Sequence, residues 1–149
     1  MLQKLEIAHS ILDEIPVGIF WKDRNSVYLG CNLWHAKVAG ISAKDIVGKT
    51  DYDMPWSAMA DKYISNDKQV ITSQKKLDIV QSITINNNEE KWWRLTKLPL
   101  LVDGKVSGVL AIWQDITEIK DILDSLLSVL SACVEKSNKI NKKLENYKF

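Results

Sequence analysis

The sequence has no apolar run near the roughly 20 residues a membrane-spanning helix needs. Charge of one sign is not in excess either. Lys and Arg number 20 against 19 Asp and Glu, so no overall field draws the chain to nucleic acid or an anionic membrane. Cysteine is scarce: Cys31 and Cys133 lie far apart in different kinds of element, which fits a reduced cytosolic protein better than a disulfide framework. Histidine is equally scarce, and His9 and His35 with those two thiols form no metal-ligand constellation. There is no P-loop, no G-x-S-x-G and no acid–base pair that can be placed, so nucleophilic and phosphoryl-transfer chemistry lack a signature. The opening, Met1 to Glu14, carries Glu6, His9, Asp13 and Glu14 and does not read as a signal peptide. These absences point to a cytoplasmic module with no direct nucleic-acid contact and no membrane segment.

What is present is about one domain's length of chain, 149 residues, with 46% hydrophobic residues and six tryptophans, enough for a well-built interior. The stretch Gly104 to Thr117, G-K-V-S-G-V-L-A-I-W-Q-D-I-T, organises the rest. Val106 to Trp113 reads as a strand apolar on both faces, with Val106, Leu110 and Ile112 on one and Val109, Ala111 and Trp113 on the other. Such a strand is expected to be covered on both sides. Thr117 is the expected N-cap of a long helix, with Glu118 and Asp121 near its positive end.

Upstream, Leu2, Leu5, Ile7, Ala8, Ile11, Leu12 and Ile15 recur at helical spacing and end at Pro16, giving a leader helix over 1–14. Val17–Asp23 and Val27–Cys31 read as a hairpin joined by Asp23-Arg24-Asn25-Ser26. Asn32 caps a short helix, Leu33 to Ala39, ending at Gly40. Ser42 with Asp45 resembles a capping box, and Asp51 is placed to cap the next turn. A longer helix covers Ser57 to Ser73. Leu77 to Ile85 and Lys91 to Leu101 read as strands around a turn at Asn86-Asn87-Asn88, and Asp103-Gly104 signals a hairpin into the last strand. The layout is α+β, with an antiparallel sheet and helices to one side.

This order resembles a PAS domain over about residues 10 to 120. The resemblance rests on I-P-V-G-I-F-W-K-D-R-N, V-Y-L-G-C-N, the D-I-V-G-K-T-D-Y-D-M-P-W run from Asp45 to Trp56, K-L-P-L at Lys97 to Leu100, and the closing G-V-L-A-I-W-Q-D-I-T. The Asp45–Trp56 run looks like PAS domains attached to bacterial sensor histidine kinases. Asn88 departs from a common turn glycine and Gln81 from a frequent acidic residue. The resemblance implies a PAS fold: five antiparallel strands with helices over one face, enclosing a small cavity. It also implies a sensory or dimerisation role for residues 15–116, not catalysis, and passage of the signal through Asp115 and Thr117 into the helix over 117–149. Haem-binding relatives use a His on the long helix, and Ser57–Ser73 has none; His35 reads as a surface or packing residue. Flavin-binding relatives carry N-C-R-F-L-Q, which is missing; Cys31 reads as a small core residue. No cofactor is expected.

Candidates for a small organic ligand are Trp56, Tyr63, Gln81, Trp93, Arg94 and Trp113. The other reading is that these side chains simply fill the core. Gln81 needs a partner if buried, and Arg94 could recognise a carboxylate or face solvent. In the exit helix, Ile119, Leu123, Leu126, Leu130, Cys133, Ser137, Ile140 and Leu144 follow steps of three and four, a heptad seam. Its regularity favours a homodimer over a helix folded back on its own domain. Cys133 and Ser137 soften the seam's middle, which could hold two registers of similar energy. The expected partners are a second copy and a fused effector such as a kinase core; a ligand-free assembly module, or input to a transcription regulator or cyclic-dinucleotide enzyme, are the alternatives.

Overall fold

A computed structural model of the chain describes residues 2–85 and 89–145. The turn expected at Asn86-Asn87-Asn88 and residues 146–149 of the exit helix lie outside them. The elements are α1 (Leu2–Glu14), β1 (Gly18–Asp23), β2 (Tyr28–Cys31), α2 (Leu33–Ala39), α3 (Ala60–Ser73), β3 (Leu77–Ile85), β4 (Glu89–Val102), β5 (Lys105–Asp115) and α4 (Thr117–Glu145). Short 3-10 turns at Asp51–Asp53 and Ser57–Met59 connect α2 to α3.

The strands form one antiparallel sheet in the order β2-β1-β5-β4-β3, so the first and last parts of the chain meet at its centre. Asp103 and Gly104, at φ 51° and 73°, make the β4–β5 connection. Both adopt the left-handed region that a two-residue hairpin demands. Alternation along the strands sends Phe20, Leu95, Val109 and Ala111 toward the helices, and with Tyr28, Ile46 and Met54 they form the core. Burying a side chain such as Ile46, fully enclosed here, contributes about 1.5–3 kcal/mol.

Three expectations need correction. The outer face of β5, with Val106, Leu110 and Ile112, is only half-buried, because among the described residues the helices that contact the sheet pack over its other side. Asp51 does not cap its turn. Thr50 and Asp53 do that work, with Thr50 N donating to Asp53 Oδ2 at 2.8 Å, and Asp51 turns inward and is buried. Thr117 is the first residue of α4 rather than its cap. The carbonyl of Ile116 accepts the first helical bond, from Lys120 N, and Asp115 Oδ1 accepts from the Thr117 backbone N at 2.9 Å.

Candidate functional site

The inner face of the sheet and the helices over it enclose a cavity of about 280 Å³. Each strand contributes by alternation: Phe20 and Lys22 from β1, Tyr28 from β2, Gln81 and Ile83 from β3, Trp93, Leu95 and Lys97 from β4, and Trp113 from β5. The cross-strand register sets these side by side, pairing Gln81 with Trp93 and Leu95 with Trp113. His35 and Val38 on α2, Tyr63 on α3 and the Pro55–Trp56 segment close it from the helix side.

One side is charged and dry. Lys22 Nζ donates to Asp51 Oδ2 at 2.5 Å and to Asp67 Oδ2 at 3.1 Å. Lys97 Nζ donates to Asp67 Oδ1 and to the Tyr63 carbonyl at 3.0 Å. The Tyr28 hydroxyl and Trp56 Nε1 donate to Asp51 Oδ1 at 2.8 and 3.1 Å. All four charged side chains are essentially inaccessible, and two ammoniums meet two carboxylates. Burial of charge at this depth is tolerated because every member is paired and hydrogen-bonded. Burial still pulls the Lys97 ammonium below its ordinary range, against the opposing pull of Asp67. Burial first, and then the Asp51 charge, raise the Tyr28 hydroxyl, so it remains a donor. The Lys22 ammonium also sits 4.5 Å from the Tyr28 ring centroid and 5.4 Å from that of Phe20.

His35 is fixed by its helix cap. Asn32 is buried and uses all of its amide: Oδ1 accepts from Ile19 N and His35 N, and Nδ2 donates to the carbonyls of Leu12 and Val17. That ties the start of α2 to α1 and β1 and directs His35 inward, 4.8 Å from the Phe20 ring and 5.6 Å from that of Trp56. Its Nδ1 accepts from Trp113 Nε1 at 2.7 Å. A neutral imidazole accepting at Nδ1 carries its proton on Nε2. Burial, with Lys22 adding to it, lowers His35 to about 4, so it is neutral at physiological pH.

Beyond the aromatic wall lies the exit joint. Trp113 packs directly on Gly18, where a Cβ would come within 2.0 Å of its Nε1, and touches the rings of Trp34 and Trp93 at 4.7 and 4.8 Å. Trp93 pairs across the ladder with Asp115. Its neighbour Trp92 accepts from Ile116 N at 2.8 Å, donates its own N to Thr117 Oγ1 at 2.9 Å, and lies 4.9 Å from Lys120 Nζ. The Thr117 hydroxyl in turn donates to Asp115 Oδ1 at 2.6 Å. Past this joint, every described residue of α4 from Asp121 onward is exposed. The seam residues Ile119, Leu123, Leu126, Leu130, Cys133, Ile140 and Leu144 are therefore uncovered, and α4 does not fold back on the domain.

Of the expected ligand residues, Trp56, Tyr63, Gln81, Trp93 and Trp113 line one cavity. Gln81 finds its partner in Lys62 Nζ, which donates to Oε1 at 2.9 Å. Arg94 does not join them. It neighbours Trp93 on the strand, so the pleat sends it to the opposite face, where it is exposed and 4.0 Å from Asp78. The residues that sequence reading missed are Lys22, Tyr28, Asp51, Asp67, Lys97 and the cavity role of His35. A signal was there: Lys22 shares the parity of Phe20, Lys97 that of Trp93 and Leu95, and Asp67 sits between Tyr63 and Val70 on the inner stripe of α3. Among the described residues no cluster of three His, Cys, Asp or Glu is placed to hold a metal ion.

A family model described as "PAS fold" matches residues 12–121. A diguanylate cyclase of Vibrio cholerae is 29% identical over 129 residues, covering 83% of this chain and 40% of that protein. The aerobic respiration control sensor protein ArcB of Escherichia coli is 26% identical over 125 residues, covering 83% of this chain and 16% of that one. The chain thus spans less than half the length of these relatives. Among solved structures, the Vibrio cholerae VqmA dimer superposes with a TM-score of 0.69 at 25% identity, over 80% of this chain and 52% of that one. VqmA bound to DPO gives a TM-score of 0.67 at 25% identity, over 77% and 57%.

Proposed function

The chain belongs to the PAS-fold family, and from that premise we propose that it is a sensory module whose cavity takes a small organic ligand and whose occupancy is passed to a dimeric α4. The observation that carries this reading is the short path from wall to joint. Trp93 and Trp113 line the cavity, while Trp92 and Asp115, beside or opposite Trp93, hold Ile116 and Thr117. A ligand pressing on Trp93 shifts the end of β4, and Trp92 carries that shift to the first turn of α4. The Asp115–Thr117 junction is thereby tied to two strands instead of one. The uncovered seam of α4 fits a second copy of the chain, and Cys133 leaves room at its centre for two registers. VqmA, solved bound to DPO, supports a ligand rather than a packed core.

Thermal-shift screening of a metabolite library, followed by amide exchange at Ile116 and Thr117, tests the reading. A compound that raises the melting temperature and alters protection at both amides is expected. Binding with no change at the joint contradicts the transmission. No binder at all, with tight concentration-dependent dimerisation, favours a ligand-free assembly module.

For the effector, the Asp45–Trp56 run, which resembles PAS domains of bacterial sensor histidine kinases, together with the likeness to the sensor protein ArcB, supports a histidine kinase core driven by α4. The cyclase relative supports a diguanylate cyclase as the second reading, and VqmA, solved with and without DNA, a transcription regulator. Reading the gene past the Phe149 codon decides: a helix bearing a phosphoacceptor His supports the kinase, and a cyclase or DNA-binding domain overturns it.

A further inference from the structure

The most informative atom in the cavity is His35 Nε2. It is buried and has no hydrogen-bond partner among the described residues, although His35 is only 1% exposed and lines the cavity. The Trp113 bond to Nδ1 fixes the proton on Nε2. The atom is therefore a donor on a side chain whose helix is fixed by the Asn32 cap and which lines a cavity walled by aromatic rings. A buried donor without an acceptor is costly, and an acceptor brought by a ligand removes that cost. The nearby charges set a second condition. Lys22 and Lys97 are neutralised by Asp51 and Asp67 at hydrogen-bond distance, within a region closed to solvent. An anionic ligand gains no unpaired cation there and adds an uncompensated buried charge. The aromatic lining sets a third, since Trp56, Trp93 and Trp113 all border the cavity and aromatic rings pack favourably against one another in offset or edge-to-face geometry.

Resting on the sensory reading above, we infer that the cavity selects an uncharged, flat heteroaromatic molecule of about ten non-hydrogen atoms that accepts a hydrogen bond from His35 Nε2. Quinoline, 2-quinolone, naphthalene and 2-naphthoate share one ring frame and differ in the features at issue. Titration of the full chain is followed by melting temperature and by the side-chain nitrogen signals of ¹⁵N-histidine, with His9→Gln identifying which signals belong to His35. Quinoline or 2-quinolone is expected to bind about tenfold more tightly than naphthalene, to exclude 2-naphthoate, and to move the His35 Nε2 resonance while Nε2 stays protonated. His35→Asn retains an acceptor for Trp113 but removes the Nε2 donor. It should bring quinoline down to the affinity of naphthalene. His35→Gln, which restores an N–H near Nε2, should recover part of the loss. Equal binding of naphthalene and quinoline, preferred binding of 2-naphthoate, or an unmoved Nε2 signal overturns this inference and leaves a ligand-binding sensor standing. If none of the four binds and no library compound does, the sensory reading falls with it. The nitrogen signal is read on the native chain, so the result does not hinge on whether the His35 variants fold.

Discussion

The cavity floor and α4 solve opposite problems. On the floor, four formal charges are shut away from water, and each is met by a partner from another element: β1 with the Asp51 turn and α3, and β4 with α3. Along α4, from Asp121 onward, a row of aliphatic side chains is exposed, with no other described element packed over it. The domain is complete in itself, and the helix is not. Stability of the first is therefore a property of the single chain, whereas order in the second depends on what covers it. The joint at Asp115–Thr117 is where a self-sufficient unit hands over to a dependent one.

The largest effect is expected where that self-sufficiency is broken. Asp67→Ala strips Lys97 of its carboxylate and Lys22 of one of two, leaving buried positive charge. Urea unfolding should show a loss of about 3–5 kcal/mol. The double variant Asp67→Leu/Lys97→Met removes both ends of one pair and should recover much of it. Equal loss in both would mean that the floor is held by shape, not by charge pairing.

Acid comes next. His35 binds its proton at about 4 in the folded chain and near 6.5 when unfolded. Stability from its neutral burial is complete above about pH 6.5 and drains away as pH falls toward 4, by about 3 kcal/mol in all. Denaturation curves between pH 7 and 4 read this directly. His35→Asn should flatten the part of the slope that His35 supplies.

A smaller effect belongs to the joint. Thr117→Ala removes the hydroxyl shared by Asp115 and Trp92 N and should cost about 1 kcal/mol. Protection of the Trp92 and Lys120 amides should fall, and that of β1 should stay unchanged. Smallest for the domain is Leu126→Glu on the exposed seam, which should shift monomer stability by no more than about 0.5 kcal/mol. In sedimentation it should nonetheless abolish self-association. A seam variant that melts the domain would erase the contrast between a self-sufficient domain and a dependent helix.

This division also explains what could be read from the residues alone. The rod was legible because its signal is periodic and local: steps of three and four from Ile119 onward need no tertiary knowledge. The sheet was legible for the same reason, through alternation and the Asp103-Gly104 turn. The aromatic walls are legible in part, and Arg94 falls outside them because its parity on β4 is opposite to that of Trp93. The floor stayed hidden because a charged residue reads as solvent-facing until its partners are known. Lys22 precedes a turn, Asp51 resembles a cap, Asp67 lies in a polar helix and Lys97 in a mixed strand, with 45 residues separating Lys22 from Asp67. Only the sheet order, which brings β1 and β4 to either side of β5, puts the four together.

Signal transfer of this kind requires the cavity wall and the first turns of α4 to form a single rigid unit, joined through Trp92, Asp115 and Thr117. Residual dipolar couplings of backbone amides in β4, β5 and residues 117–124 test it most directly, on a monomeric Leu126→Glu chain. One alignment tensor should fit all three segments. A separate tensor of sharply reduced magnitude for 117–124 would contradict it.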